Sequence, residues 1–155
     1  MKGSTKVIEA LNMALTEEMT AINQYIVHAE MAANWGYEKL HEFSEDLAVQ
    51  EMKHAEKLVG RILFLEGIPI INKYNPIRIG TDVPSDLKND LATETDAVRM
   101  YNEITQICVA EKDQGTKELV DEILREEEGH VDGLEERLDQ IEQMGLGNYL
   151  TTVTA

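Results

Sequence analysis

Apolar residues recur at intervals of three and four positions along most of the chain, which is the spacing of an amphipathic helix. Gly36, Gly67 and Gly145 interrupt this pattern, and Pro84 is suited to the first turn of a helix. The predicted helices cover about residues 5–34, 38–66, 84–112, 115–144 and, as a short fifth helix, 148–154. The pattern therefore predicts an all-α fold, and we expect residues 1–155 to form one domain.

The connections between the predicted helices differ in length, and this difference predicts their arrangement. The first and third connections are only two or three residues long, so each joins two antiparallel neighbours. The segment from Gly67 to Val83 contains Pro69, Pro76 and Gly80 and is long enough to run the length of a helix. We expect a four-helix bundle with one long crossover, in which the second and third helices are parallel.

An internal repeat with an offset of 76 positions relates the two halves of the chain. Its polar members are Glu18, Glu51 and His54 in the first half and Glu94, Glu127 and His130 in the second. Apolar residues around them repeat with the same offset, for example Leu11 with Leu87 and Leu58 with Leu134. The chain is therefore predicted to consist of two helical hairpins related by an approximate twofold axis.

The spacing of the repeated residues indicates a metal site inside the bundle. Residues three apart lie on one face of a helix, so each Glu-x-x-His pair can present an oxygen and a nitrogen to one point. Four carboxylates buried together are untenable without cations, and two divalent ions neutralise them. Carboxylate and imidazole ligands suit iron, manganese or zinc. A lone Glu-x-x-His pair usually lies on a solvent-exposed face of a helix. Two such pairs in register with two further glutamates favour metal binding.

Composition and charge limit the partners and the compartment. Fourteen basic against thirty acidic residues give a net charge of −16, which disfavours nucleic acid and anionic membranes and attracts cations, although solubility explains it equally well. Cys108 is the only cysteine, so we expect no intrachain disulfide and a reducing compartment. No apolar run reaches the length of a membrane span, and no secretion signal is evident, so a cytoplasmic location is expected.

The chain resembles the bacterioferritins almost from end to end. The stretches that carry the resemblance are MKGSTKVIEALNMAL, AINQYIVHAEM, NWGYEKL, EMKHAEKLVGRILFLEGIP, EILREEEGH and QMGLGNYL. The resemblance implies a ferritin-like bundle whose six repeated residues are ferroxidase ligands for two iron ions per subunit, with Glu51 and Glu127 bridging. It also implies oxidation of Fe(II) by dioxygen or hydrogen peroxide, and mineral storage in a hollow shell of twenty-four subunits built from dimers. A ferredoxin-type protein is the implied electron donor.

The resemblance also implies haem bound between two subunits. Met52 follows Glu51 and points about 100° away from the metal face, onto the outside of the bundle. Sequence alone favours an ordinary interface methionine here, but the resemblance makes Met52 from each subunit an axial ligand of one haem. The residues that match the family's haem pocket are Met19, Ile22, Asn23 and Ile26.

Other positions bear on the same chemistry. Tyr25 lies seven residues after Glu18, and its repeat mate is Tyr101; each is either a hydrogen-bond partner of a ligand or an ordinary core tyrosine. Asp46 and Gln50 stand where the resemblance implies histidine and aspartate at an inner-surface iron site, which weakens the expectation of such a site. Gly129 and Gly133, four apart, are interpreted as positions of close helix packing.

Three other classes of protein compete with this interpretation. A rubrerythrin-type peroxide reductase is disfavoured because it usually carries a cysteine-rich domain, and this chain has one cysteine. A DNA-protecting mini-ferritin is disfavoured because its metal site is normally built between subunits and its basic tail is absent. A helical scaffold or electron-transfer protein with a structural metal remains open, and it would not oxidise Fe(II) rapidly.

Overall fold

The computed structural model describes residues 1–155, and all of its regular structure is helical. The five helices are α1 (Thr5–Trp35), α2 (Glu38–Phe64), α3 (Val83–Ala110), α4 (Gln114–Met144) and the short α5 (Leu146–Thr152). The predicted all-α class is confirmed. None of the helices combines the length and the apolar character needed to cross a membrane.

Local sequence determines where the long helices begin and end. Gly36 ends α1 in the left-handed conformation, with φ of 87°, and its N–H bonds to the carbonyl oxygens of Ala32 and Ala33. Asp82 and Ser85 form a reciprocal capping box before α3. α2 ends two residues before its predicted end because the chain turns through a left-handed conformation at Glu66, with φ of 63°.

Contacts between side chains show how the long helices run. On α1 and α3, Glu18 pairs with Tyr101 and Tyr25 pairs with Glu94, so these helices are antiparallel. On α2 and α4, His54 pairs with the later Glu126 and Lys57 with the earlier Glu122, which is again antiparallel. Because short connections make α1 and α2 antiparallel as well, α2 and α3 are parallel. The predicted four-helix bundle with one long crossover is confirmed.

The crossover runs along α1 and is held by polar side chains of that helix. Four of its backbone amides, at Ile70, Asn75, Arg78 and Gly80, donate to the side chains of Asn12, Thr20, Gln24 and His28, respectively. These side chains cover about 24 Å of the helix and recur at multiples of four residues, so they form one stripe. The irregular segment therefore has its backbone hydrogen bonds satisfied by a neighbouring helix.

The last of these contacts belongs to a buried polar cluster that joins α1, α3 and the crossover. His28 Nδ1 lies 2.7 Å from Asp90 Oδ1, and Gln24 donates to the same oxygen at 2.8 Å. Asp86 Oδ1 lies 3.3 Å from His28 Nε2. A side chain at Gly80 would overlap Asp86, so this position requires glycine.

The apolar core is divided into two clusters. The larger is built from residues such as Leu11, Leu58 and Ile123, and the other contains Leu47 and Leu134 together with Tyr149 of α5. The six repeated glutamates and histidines lie along the helices between these clusters. Gly129 and Gly133 are not positions of close helix packing within the chain, contrary to the interpretation from sequence: a Cβ at Gly129 would meet nothing within 4 Å, and one at Gly133 would meet only side chains at ordinary distances.

Candidate metal centre

Each of the four long helices contributes to a cluster of buried carboxylates and imidazoles at the middle of the bundle. α1 and α3 each supply one glutamate, and α2 and α4 each supply a Glu-x-x-His pair. The structure therefore brings together all six residues of the repeat, which are Glu18, Glu51, His54, Glu94, Glu127 and His130. None of the four carboxylates is more than 1% exposed.

The six side chains form two overlapping sets of four donors. Within each set, one donor atom from every residue lies within 4.8 Å of the others. The first set comprises Glu18, Glu51, His54 and Glu127, and the second comprises Glu51, Glu94, Glu127 and His130. Glu51 and Glu127 belong to both sets and therefore lie between the other four residues. Below, the first set is called the Glu18 half and the second the Glu94 half.

Both histidines turn the same ring nitrogen toward the carboxylates. His54 Nδ1 lies 2.9 Å from Glu127 Oε1 and 3.0 Å from Glu51 Oε2. His130 Nδ1 lies 2.9 Å from Glu51 Oε1 and 3.3 Å from Glu94 Oε1. The rings are stacked, with centroids 6.0 Å apart. This symmetric arrangement is what the internal repeat requires.

Burial and mutual repulsion make the charged form of this cluster costly. Burial, followed by the charges of Glu18 and Glu94, raises the pKa of Glu51 well above its usual range. Burial likewise raises the pKa of Glu127 well above its usual range, with Glu51 and Glu94 adding to it. Burial works against protonation of His54, but the hydrogen bonds that the ring donates to Glu127 and Glu18 outweigh it and raise the pKa to about 11. In the absence of cations the cluster therefore retains protons.

Unpartnered donor atoms test whether the cluster fits metal ions. Glu18 Oε2 and Glu94 Oε2 are buried without a hydrogen-bond partner. Glu51 Oε1, Glu127 Oε1 and His130 Nδ1 meet only other members of the cluster, in close contacts that lack full hydrogen-bond geometry. Unpartnered polar atoms are rare inside proteins because each costs the full desolvation penalty. Two divalent cations would satisfy all of them and neutralise four carboxylates, so the donor set is compatible with metal binding.

A buried tyrosine contacts the single glutamate of each half. The hydroxyl of Tyr25 on α1 donates to Glu94 Oε1 on α3 at 2.7 Å, and Tyr101 on α3 donates to Glu18 on α1. Each phenol therefore reaches across to the opposite hairpin. Both tyrosines are fully buried.

The outer ring nitrogens of the histidines have partners that sequence reasoning missed. His54 Nε2 lies 2.6 Å from Glu126 Oε2, and His130 Nε2 lies 2.7 Å from Gln50 Oε1. Asp46, the other departure from the family pattern, is exposed. A signal existed in the sequence, because Gln50 and Glu126 are repeat mates at the same offset of 76 and directly precede Glu51 and Glu127, the two glutamates shared by both donor sets.

The residues that match a haem pocket lie on an outer face of α1 and α2. Met52 is 45% exposed and Ile26 is 49% exposed, and Val49 on the same face of α2 is also exposed. Met19, Ile22 and Asn23 are half-buried. A thioether among apolar side chains on an open surface fits an apolar group shared with a second copy of the chain.

The fold and the donor set together define a class of protein. A four-helix bundle with one long crossover, in which two glutamates and two Glu-x-x-His pairs converge, is the ferritin-like arrangement for two metal ions. A family model described as ferritin-like domain matches residues 8–144.

Comparison with known proteins narrows the class to a family. The chain is 44% identical to a bacterioferritin of Brucella melitensis over 149 residues, which cover 96% of this chain and 92% of that one. It is 43% identical to a bacterioferritin of Rhodobacter capsulatus over 94% of this chain and 90% of that one. A bacterioferritin of Streptomyces coelicolor is 38% identical over 99% and 92%. The chain belongs to the bacterioferritin family.

Proposed function

We propose that this protein oxidises Fe(II) at the six-residue centre and stores the resulting ferric iron. The observation that carries the proposal is the convergence of two overlapping donor sets that include buried carboxylate oxygens without hydrogen-bond partners. Carboxylate and imidazole donors suit iron, and membership in the bacterioferritin family supports iron storage. Fe(II) is the substrate, and dioxygen or hydrogen peroxide is the oxidant.

The shared glutamates explain why the site favours a two-electron reaction. Glu51 and Glu127 belong to both donor sets, so they would hold two Fe(II) ions close enough to act on one oxidant molecule. Two Fe(II), one hydrogen peroxide and two protons give two Fe(III) and two water molecules. Two Fe(II), one dioxygen and two protons give two Fe(III) and one hydrogen peroxide. Neither reaction releases a one-electron oxygen radical.

Binding of Fe(II) at the centre is coupled to the release of protons from its carboxyl groups. The raised pKa values of Glu51 and Glu127 mean that these carboxyls hold protons before the ions enter. Two entering Fe(II) ions therefore displace protons from the ligands. Tyr25 and Tyr101 hold the single glutamates Glu94 and Glu18 in place through hydrogen bonds from the opposite hairpin.

Storage requires a container, and a shell of twenty-four copies built from dimers would provide it. The net charge of −16 on each chain, multiplied over such a shell, would raise the local concentration of Fe(II). Haem is proposed at the dimer twofold, held by Met52 of each copy and lined by Ile22 and Ile26. When bound, haem would supply one-electron transfer toward stored iron, with a ferredoxin-type protein as the electron donor.

The function is tested by adding two Fe(II) per chain without oxygen and then admitting air. Absorbance from ferric iron should rise rapidly in the unaltered protein. In Glu18→Ala and Glu94→Ala the initial rate should fall roughly 100-fold or more, because losing a ligand costs more than the 10–100-fold loss seen for outer partners. Glu135→Ala, which removes an exposed glutamate of α4, is the matched control and should oxidise Fe(II) normally.

Two outcomes would overturn the proposal. Equal rates in Glu18→Ala, Glu94→Ala and the control would mean that oxidation occurs elsewhere and that the centre holds a structural metal at most. Retention of no more than two iron ions per chain after repeated additions of Fe(II) and air would remove storage from the function.

A further inference from the structure

The two halves of the metal centre have different partners behind their histidines. Glu126 stands behind His54, with Nε2 and Oε2 2.6 Å apart, and Gln50 stands behind His130, with Nε2 and Oε1 2.7 Å apart. Both contacts run from the residue before a bridging glutamate to the histidine of the opposite hairpin. The same geometry therefore recurs in both halves, with a carboxylate in one and an amide in the other.

The surroundings of these two partners differ as well. Glu126 Oε1 lies 3.8 Å from Lys57 Nζ, and Lys57 in turn bonds to Glu122 at 2.9 Å. The repeat mate of Lys57 is Gly133, which has no side chain to offer Gln50. Charged residues thus support one histidine, and a neutral amide supports the other.

A carboxylate and an amide act differently on an imidazole. An ionised carboxylate only accepts hydrogen bonds, so Glu126 holds a proton on Nε2 of His54. A metal ion that displaces the other proton, on Nδ1, then finds the Nδ1 lone pair facing the centre. An amide both accepts and donates hydrogen bonds, so the amide group of Gln50 can flip and support either tautomer of His130. Only one of these tautomers can bind a metal ion through Nδ1. A carboxylate partner also makes the ring a stronger donor.

We propose that Glu126 and Gln50 make the two halves unequal, so that a divalent cation fills the Glu18 half first and exchanges more readily at the Glu94 half. The inference deepens the proposed function and rests on it for the identity of the physiological ion. Glu126 and Gln50 are positioning residues, since neither belongs to the donor sets. With unequal affinities, the ion in the Glu18 half would stay bound while the ion in the Glu94 half exchanges.

The test is a titration of the metal-free assembled protein with Co(II), followed by its visible absorption bands and by calorimetry. The unaltered chain should bind two Co(II) in two steps that differ about 10–100-fold in affinity. Glu94→Ala should retain the tighter step, and Glu18→Ala should retain the weaker one. These two variants assign each step to one half of the centre.

Exchange of the two partners then tests the cause. Glu126→Gln should lower the Co(II) affinity of the first step about 10–100-fold, and Gln50→Glu should raise the affinity of the second by a similar factor. Either change should make the two affinities more nearly equal. Glu122→Gln is the control because it removes the same charge beside Lys57 without contacting an imidazole. It should leave the two steps separated.

Three results would overturn the inference: equal steps in the unaltered chain, tighter binding in the Glu94 half, or the same effect from Glu122→Gln as from Glu126→Gln. Failure of the proposed function gives a different pattern. A chain that binds Co(II) in two unequal steps but does not oxidise Fe(II) would keep this inference and lose the ferroxidase activity. A chain that oxidises Fe(II) but binds Co(II) in two equal steps would keep the ferroxidase activity and lose this inference.

Discussion

A buried phenol that donates to a buried carboxylate fixes the orientation of that carboxylate. Tyr25 does this for Glu94, and Tyr101 does it for Glu18. Burial raises the pKa of Tyr25 well above its usual range, with the charges of Glu94 and Glu51 adding to it, so the hydroxyl keeps its proton and remains a donor. Hydrogen bonds to charged groups contribute about 1.5–3 kcal/mol, which is enough to select one carboxylate position.

The crossed arrangement of the tyrosines leads to a prediction about single halves. Tyr25→Phe should weaken metal binding about 10-fold or more in the Glu94 half, because Glu94 loses its donor, and should leave the Glu18 half unchanged. Tyr101→Phe is the matched control and should do the opposite. Stepwise Co(II) titration of both variants measures the effect. If Tyr25→Phe weakened the Glu18 half instead, the tyrosine would act on its own hairpin.

At the level of elements, the crossover and α3 meet α1 at the His28 cluster. Burial opposes protonation of His28, but its hydrogen bond with Asp90 and the charge of Asp90 outweigh burial and raise its pKa. Burial raises the pKa of Asp86 to about 6, although His28 and the Gly80 amide oppose this. Both groups therefore bind protons more tightly in the folded chain than in the unfolded chain.

The sign of these shifts predicts how stability depends on pH. The contribution of Asp86 is fully present below its unfolded pKa of 3.8 and is lost as pH rises through about 6. The unfolding free energy of the metal-free chain, relative to Asp86→Asn, should therefore increase as pH falls from about 7 to about 5. Urea unfolding followed by fluorescence of Trp35, which lines a small cavity with His28 and Asp86, measures it.

The control for this pH effect is Asp82→Asn. Hydrogen bonds from Ser85 lower the pKa of Asp82, so its contribution to stability is lost only as pH falls below the unfolded value of 3.8. The difference between this variant and the unaltered chain should stay constant from about pH 7 to about pH 5. A constant difference for Asp86→Asn as well would mean that Asp86 does not titrate in this range.

How much of the structure was predictable differs between elements. Helical periodicity reports burial, so it was sufficient to predict the all-α bundle and the face that carries the six repeated residues. Periodicity gave no information on how the crossover is held against α1, because the crossover itself has no periodic pattern. Its backbone amides donate to the side chains of Asn12, Thr20, Gln24 and His28. The partners of the histidines were missed because they lie on the opposite hairpin.

For the whole molecule, the open face around Met52 is the feature that a single chain leaves unexplained. Met52 and Ile26 are about half exposed, and Val27 on α1 and Val49 on α2 are exposed as well. An apolar face of this kind is costly in water and is covered when copies of a chain associate. The proposed dimer with shared haem accounts for both the exposure and the thioether at its centre.

The shared haem is tested by replacing its proposed ligand. Met52→Leu keeps the apolar surface but removes the sulfur, so the protein should lose its haem absorption band after expression with ample haem. Met144→Leu, which alters an exposed methionine at the end of α4, should keep the band. The oligomer of both variants, measured by light scattering, should be unchanged. Equal haem content in the two variants would show that Met52 is not the ligand.

The way the two donor sets share Glu51 and Glu127 has a consequence for the origin of such a protein. Each hairpin supplies three members of one donor set and a single member of the other, so neither hairpin completes a set alone. A half-length ancestor would have held metal only as a pair of copies. Duplication and fusion of its gene would then have allowed the two hairpins to diverge, first at positions that contact the histidines, as Gln50 and Glu126 do.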